Sequence, residues 1–589
     1  MTKIHQFLIY TSGKSRSNLI FWLSLSLTFA VIYSIPGLQQ AFGSEYVVQD
    51  DARQHVFWMQ RFIDPGLFPN DLTADYFQSV APLGYKAVYQ VIAALGIEPF
   101  LLHKILPIAL ALIANTYCFF LCIKILPVPF TGFMASLLLN QSIWLQDDII
   151  SATPVAFVYP LFIAFLYYLL RHSLFGVGSS IALLGLFYPQ CMLVAVGILT
   201  VRLLGYKDKQ FYLSSERKDY LLLFSGLGIA TAILLSYAFK SSEFGKVISA
   251  TEAKTLPAFL PKGWSSFFSD NFSNFWLCGK RSGMIPSEWC VLTRKFFPLP
   301  IPPQIFAGLS LPILWRFSSR FPLIKLVTKE IILLPQIAIA SLTMFFIAHI
   351  FVFKLHLPNR YTEHTSRILI SIMAGIAITV IIDAVFDWVK VKSEHKKYKL
   401  KFLPLVLCIF LAVAILGYPH ILQFRNYPFP NTRYIAGGFP SLYKFFEQQP
   451  KDIIIASLAE EANNLPSFAK RSILAGGEGY ALPYHPTYYN EIRQRTVNMI
   501  EAQYSANISE VKEFINNYGV DFWLLDKKAL TVEYVAKDRW LKQYQPIRDE
   551  VLAHLKEGTL PTLSNVMNSC NIFDNDNLIL LQAECIIKY

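Results

Sequence analysis

Long apolar stretches recur along the first 420 residues and then stop. A helix that crosses a bilayer needs about 20 apolar residues. Seven stretches approach or exceed that length, at roughly 18–36, 99–123, 155–171, 220–240, 330–352, 367–388 and 402–420. Four shorter ones lie at roughly 128–145, 175–188, 190–204 and 301–315. The pattern therefore predicts a polytopic α-helical membrane body of about 11 segments. Beyond residue 425 no apolar run reaches membrane length, and short strands alternate with helices. Strands are expected at Asp452–Leu458, Arg471–Leu474 and Asp521–Leu525, with helices near 487–503 and 508–518. That alternation is an α/β pattern. The chain divides into a membrane domain, 1–424, and a soluble α/β domain, 425–589.

Composition supports this division. Of 589 residues, 54% are hydrophobic and 16% charged, against about 45–50% and 25% in soluble domains. The 48 phenylalanines exclude a disordered chain. A net charge of +12 would raise nucleic-acid binding in a soluble protein. Its distribution answers that question differently. With the N-terminus cytoplasmic, the inside connections carry Lys207, Lys209, Arg217 and Lys218, then Arg316, Arg320, Lys325 and Lys329, then Lys390 to Lys401. The outside turns at 146–154 and 189 carry no Lys or Arg. This is the positive-inside pattern, and it accounts for the charge without nucleic acid. The outside loop 241–300 fits less well, with seven basic residues. The first segment follows Lys3, Lys14 and Arg16 with no small-residue cleavage site, so it reads as a retained helix. An odd number of crossings places residues 425–589 outside.

Cys118, Cys122, Cys191 and Cys408 fall in membrane segments, where a thiol behaves as a small apolar group. The other four lie outside in two close pairs. In an oxidising compartment these read as Cys278–Cys290 and Cys570–Cys585 disulfides, or else as four free thiols.

Candidate chemistry concentrates at the outer surface. The first outside loop, about 37–97, opens with Gln49-Asp50-Asp51-Ala52-Arg53-Gln54-His55. Either Asp51 caps a helix starting at Ala52, or the pair orients or deprotonates an acceptor or binds a divalent cation. A second pair, Asp147 and Asp148, lies between two apolar stretches. Carboxylates that close to hydrocarbon mark a site unless they are merely turn residues. A third element, Leu357 to His364, puts Arg360 outside, against the charge rule. Its guanidinium can grip a phosphate bidentately, or it snorkels or pairs with Glu363. There is no phosphate loop and no zinc spacing. The run Gly476-Gly477-Glu478-Gly479 reads as a tight turn.

These motifs resemble the integral-membrane glycosyltransferases of the GT-C fold, which include oligosaccharyltransferases, protein O-mannosyltransferases and aminoarabinose transferases. In that class, acidic motifs occupy the first and next outside loops, a cation holds the lipid-linked donor phosphate, and a soluble domain lies outside. Asp50 and Asp51 match the first motif, and Asp147 and Asp148 match the second acidic site. Arg360, with His364 and Arg53, fits the phosphate role. The resemblance implies transfer of a sugar from a polyprenyl-phosphate donor to a lipid, glycan or protein acceptor on the extracytoplasmic side. It implies a multi-pass protein of the bacterial inner membrane, with Asp50 and Asp51 catalytic. Whether Mg²⁺ or Mn²⁺ bridges donor and carboxylates, through Asp50 and Asp147, the sequence leaves open. The tail carries no Trp-Trp-Asp acceptor motif, so the resemblance does not reach asparagine glycosylation. The tail segment Ser457–Pro466, with Tyr484 and His485, reads as ordinary α/β surface rather than an acceptor groove. Two rivals remain: a transporter, and a non-catalytic subunit that keeps the fold. A transporter needs polar groups at mid-membrane, whereas Asp383, Asp387 and His349 sit near helix ends.

The charge asymmetry makes a direct prediction. A reporter fused after Tyr589 should be active only outside the cytoplasm; cytoplasmic activity would invert the topology.

Overall fold

The computed structural model describes all residues except 1, 10, 12–14, 208–209, 240–242, 297–301, 396–402 and 478. Lys396, Lys397, Lys399 and Lys401 of the basic loop therefore lie outside the described residues. Among the described residues, six helices are long and apolar enough to cross a membrane: Arg16–Ala41, Pro99–Ile125, Arg217–Ala238, Lys329–Ile350, Pro358–Lys390 and Leu403–Phe424. The expected segment 155–171 falls short, because a 3-10 turn at Pro154–Phe157 leaves only the 13-residue helix Val158–Leu170. Leu174–Phe187 and Pro189–Arg202 are also short apolar helices, as are Pro129–Ile143 and Pro303–Arg316. At about 1.5 Å per residue, helices of this length rise less than the roughly 30 Å of hydrocarbon.

Helix Pro129–Ile143 is buried along its whole length, and it organises the body. Its Gly132 meets the Phe119 carbonyl, and a Cβ there would approach that oxygen to 2.8 Å. On another side, a Cβ on Gly375 would lie 2.7 Å from the Ala135 backbone nitrogen. Such small-residue contacts let membrane helices approach backbone to backbone. Polar side chains add directional bonds. Asn140 Nδ2 donates to Asn115 Oδ1 at 2.8 Å, and Asn115 Nδ2 donates to the Ser26 carbonyl at 2.6 Å. Gln141 Nε2 reaches the Ile415 carbonyl at 2.8 Å. The helix is thus fixed against four neighbours, and its C-terminal end delivers Asp147 and Asp148.

At the end of the helical body nearest the tail, Val47–Gln49 pairs antiparallel with Tyr434–Ala436, in register Gln49 to Tyr434. This two-stranded link ties the first outside loop to the chain that leaves the last membrane helix. The tail then forms a five-stranded sheet. Ser472–Ile473, Ile454–Ala456 and Phe522–Asp526 run parallel. Leu578–Gln582 lies antiparallel to Phe522–Asp526, and Asn571–Asp574 closes the edge. Helices Pro486–Tyr504 and Ile508–Tyr518 make the crossover. The Cys278 and Cys290 sulfurs are bonded, as are those of Cys570 and Cys585.

The Gly375 contact is testable. Gly375→Val should force helices Glu363–His395 and Pro129–Ile143 apart and cost roughly 1–3 kcal/mol of stability. Thermal unfolding in detergent should show a lower midpoint; an unchanged midpoint would mean that the contact is loose.

Candidate active site

The first acidic pair opens the helix Asp50–His55. Its cap is Gln49, whose side-chain oxygen accepts from the backbone nitrogens of Asp51 and Ala52 at 2.8 and 3.1 Å. Asp51 is therefore not the cap, and its carboxylate is left free. The Asp50 nitrogen donates to the Arg433 carbonyl at 3.1 Å, so the strand link fixes where this helix starts. The two carboxylates diverge. Asp50 accepts from Arg53 Nη2 at 2.9 Å, and Arg53 Nη1 donates to Asn464 Oδ1 at 3.0 Å. Asn464 also donates to Glu461 at 3.0 Å. Asp50 and Arg53 are thus committed to the contact with the tail domain.

The tail segment is not open surface. Ala462 and Asn464 are buried, Tyr480 donates to the Arg53 carbonyl at 3.0 Å, and the Tyr76 hydroxyl meets His485 at 3.0 Å. The surface reading of Ser457–Pro466 is overturned: Asn464 there holds the Arg53 side chain, and Ser467 and Tyr480 just beyond it satisfy the Arg53 carbonyl.

Asp51 turns toward the second acidic pair. Burial and then the Asp50 charge raise its pKa, opposed by Arg433. Asp147 is pushed up to about 7, by burial first and then by the Asp51 charge. Its carboxylate accepts from Gln49 Nε2 at 3.4 Å and faces Arg433 Nε at 3.6 Å. Asp148 behaves oppositely. Burial works to raise its pKa, but Arg367, with His364 and Arg360, overcomes burial and holds the carboxyl below its usual range.

Arg367 is the residue that sequence reading missed. Its side chain is completely buried and makes five hydrogen bonds of 2.7 to 3.0 Å to four neighbours. Nε and Nη2 grip both oxygens of Glu288, and Nη2 also donates to Glu363. Nη1 donates to Asp148 and to the Tyr159 hydroxyl. The signal was present: Glu363 and Arg367 stand four apart at the start of an apolar helix, where a charge demands a partner.

Arg360 sits one turn earlier, on the 3-10 turn Pro358–Tyr361. It meets Glu363 at only 3.5 Å, while the other Glu363 oxygen takes Arg367 at 2.7 Å. Among the described residues its buried Nε has no hydrogen-bond partner, and Tyr188, Glu363, Asp148 and Tyr484 lie within its field. Arg360 therefore keeps donor capacity to spend. His364 is fully buried, with Nδ1 3.2 Å from the Tyr159 hydroxyl and Nε2 unpartnered.

The structure thus brings together Asp51, Asp147, Asp148 and Arg360, adds Arg433 and Arg367, and sets Asp50 and Arg53 to one side. For a cation, the juxtaposed carboxylates are Asp51 and Asp147, not Asp50 and Asp147. Among the described residues, three metal-capable groups close to within 4.8 Å only at His5, Asp383 and Asp387. That cluster lies twenty residues along the helix from Glu363, far from this site.

No protein-family model matches the sequence, and no curated protein matches it. Solved structures do. One is the oligosaccharyltransferase AglB from the archaeon Archaeoglobus fulgidus, in complex with an inhibitory peptide and a dolichol-phosphate. It is 11% identical, has a TM-score of 0.52, and covers 91% of this chain and 73% of that one. Another is the Archaeoglobus fulgidus oligosaccharyltransferase tethered to an acceptor peptide containing the NVT sequon. It is also 11% identical with a TM-score of 0.52, covering 90% and 72% of the two chains. The fold is that of the GT-C oligosaccharyltransferases.

The Arg367 cluster predicts an asymmetric response. Arg367→Leu should cost about 3–5 kcal/mol, because it strands buried carboxylates. The loss should shrink as pH falls from 8 toward 5 and those carboxylates take up protons. Equal destabilisation at both pH values in thermal melts would count against the buried ionic cluster.

Proposed function

We propose that this chain is a membrane glycosyltransferase that moves a sugar from a polyprenyl-phosphate donor to an acceptor on the extracytoplasmic side. What carries this reading is the meeting of three elements remote in sequence. The free carboxylate of Asp51 faces Asp147, with Arg360 and its unspent donors close by. Nothing local forces that meeting. The site lies at one end of a GT-C helical body, where a lipid-linked donor can keep its tail in the bilayer. Exposed Ile350 and Phe351 begin the loop that ends in Arg360, so apolar surface adjoins the phosphate position. The archaeal enzyme of the same fold was solved with dolichol-phosphate, which supports a lipid phosphate in this role.

The residues then divide the work. Arg360 grips the donor phosphate through charge-assisted bonds. Asp51 orients the acceptor nucleophile and takes its proton, and a raised pKa suits a general base. The nucleophile forms a bond to the anomeric carbon while the carbon–oxygen bond to phosphate breaks. The electron pair leaves on the phosphate oxygen, which Arg360 stabilises. Asp148 and Arg367 set the framework on which Arg360 and Asp147 sit. Half-buried Asp51 and buried Asp147, whose charges oppose one another, fit a divalent cation such as Mg²⁺ or Mn²⁺. Bound there, it would neutralise them and supply Lewis acidity. We place the protein in the bacterial inner membrane, with the N-terminus cytoplasmic and residues 425–589 outside.

This division separates two variants. Asp51→Asn should reduce transfer by about 10²–10³-fold while leaving donor binding intact. Arg360→Ala should weaken donor binding by roughly 2–3 kcal/mol. Transfer and lipid binding on purified protein in nanodiscs check both. Full transfer by Asp51→Asn would remove the catalytic assignment.

A further inference from the structure

The loop 241–300 carries seven basic residues, and neither fold nor transfer chemistry has used that charge. The structure shows where three of its cations go. Lys262, Lys280 and Arg281 line a cavity of about 330 Å³, together with Trp264, Ser266 and Asn274. Among the described residues they are its only charged lining, and no carboxylate joins them. Glu288 is engaged with Arg367, Glu363 with Arg360 and Arg367, and Asp147 with Arg433; Asp270 follows the lining residue Ser269 but is exposed and is not part of the lining. Three cations around one cavity, with no carboxylate in its described lining, call for an anion.

The cavity is built into the site. Asn359, which precedes Arg360, holds its wall: Nδ2 donates to the Lys280 carbonyl at 3.0 Å, and the backbone nitrogen meets the Arg281 carbonyl at 3.4 Å. The Cys278–Cys290 bridge closes the same segment. Lys280 lies within the field of Asp51 and Asp147, so the cavity opens beside the reacting centre. Its size lies at the low end of the roughly 300–1,000 Å³ of small-molecule sites. Trp264 contributes an indole, braced edge-on by Trp540 of the tail domain at 6.1 Å. An indole face suits the apolar face of a pyranose ring, and the cations suit a carboxylate on it.

We propose that this cavity receives an anionic sugar residue, of which a uronate is the simplest, next to the acceptor carboxylates. The proposal rests on the glycosyl-transfer reading for the sugar, and on the cavity alone for the charge. Two sources could supply such a residue: the lipid-linked donor, or a glycan acceptor.

The experiment uses the full chain in nanodiscs and two matched pairs of probes. One pair is polyprenyl-phosphate glucose and polyprenyl-phosphate glucuronate. The other is a soluble neutral disaccharide and its uronate counterpart. The acidic member should bind about tenfold more tightly in at least one pair. Preference within the lipid-linked pair assigns the sugar to the donor; preference confined to the soluble pair assigns it to the acceptor. Either preference should vanish in the Lys280→Gln, Arg281→Gln double variant. It should fall in Lys262→Gln, an exposed position. Equal binding of acidic and neutral members in both pairs would overturn the proposal. So would a preference that survives all these variants. Absence of any transfer while the acidic preference persists would remove the enzyme and leave the cavity.

Discussion

The end of the helical body that meets the tail domain is organised around one buried cation. Arg367 has no exposed surface, and Glu288, Glu363 and Asp148 all bond to it. An isolated charge in such a place is prohibitive, so the guanidinium and its carboxylates must be assembled together or not at all. They come from three segments: the loop after the seventh candidate helix in chain order, the turn after Pro129–Ile143, and the helix that begins at Glu363. Satisfying Arg367 therefore fixes the relative positions of all three. A buried ion pair is weak evidence of net stability, but its removal is costly, and that cost enforces register.

The groups proposed to act on donor and acceptor lie just outside this cluster and borrow its order. Asp147 is adjacent to Asp148, which Arg367 holds, and Arg360 precedes Glu363, which Arg367 also holds. Because the cluster absorbs Glu363, Arg360 remains under-bonded. Because Gln49 caps the first-loop helix, Asp51 remains uncapped. Below, Gly132 and Gly375 let the helix leading to Asp147 pack tightly on both sides. Above, the tail domain braces the first loop through Asn464, Tyr480 and Arg53. The carboxylates whose charges oppose one another, Asp51 and Asp147, sit between a rigid helical body and a clamped loop, as expected of groups positioned for chemistry.

Much of this was legible in the sequence. Apolar periodicity gave the six long helices, and the strand and helix alternation placed the core of the tail sheet within one or two residues. The edge hairpin Asn571–Gln582 escaped notice, because its outer strand is only four residues long, half polar and half exposed. Segment 155–171 was read as too long, since composition alone does not show a 3-10 turn at Pro154. Asp50 and Asp51 looked equivalent. Only tertiary contact separates them, through Arg53 and Asn464, more than 400 residues away from that helix. Arg433 was invisible for the same reason: it reaches Asp147 through a strand pairing across the whole membrane domain. Arg367 was different. A charge at the mouth of an apolar helix is a local anomaly, and it should have been asked for its partners.

The central claim is that Arg360 and the Asp51–Asp147 pair share one donor site. A cryo-EM structure with a bound polyprenyl-phosphate sugar tests it most directly. The account predicts phosphate density within roughly 3 Å of the Arg360 guanidinium and the sugar ring between that phosphate and Asp51. Phosphate bound elsewhere, for example beside Lys104 and Lys470 in the cavity against Val47 and Val48, would contradict it.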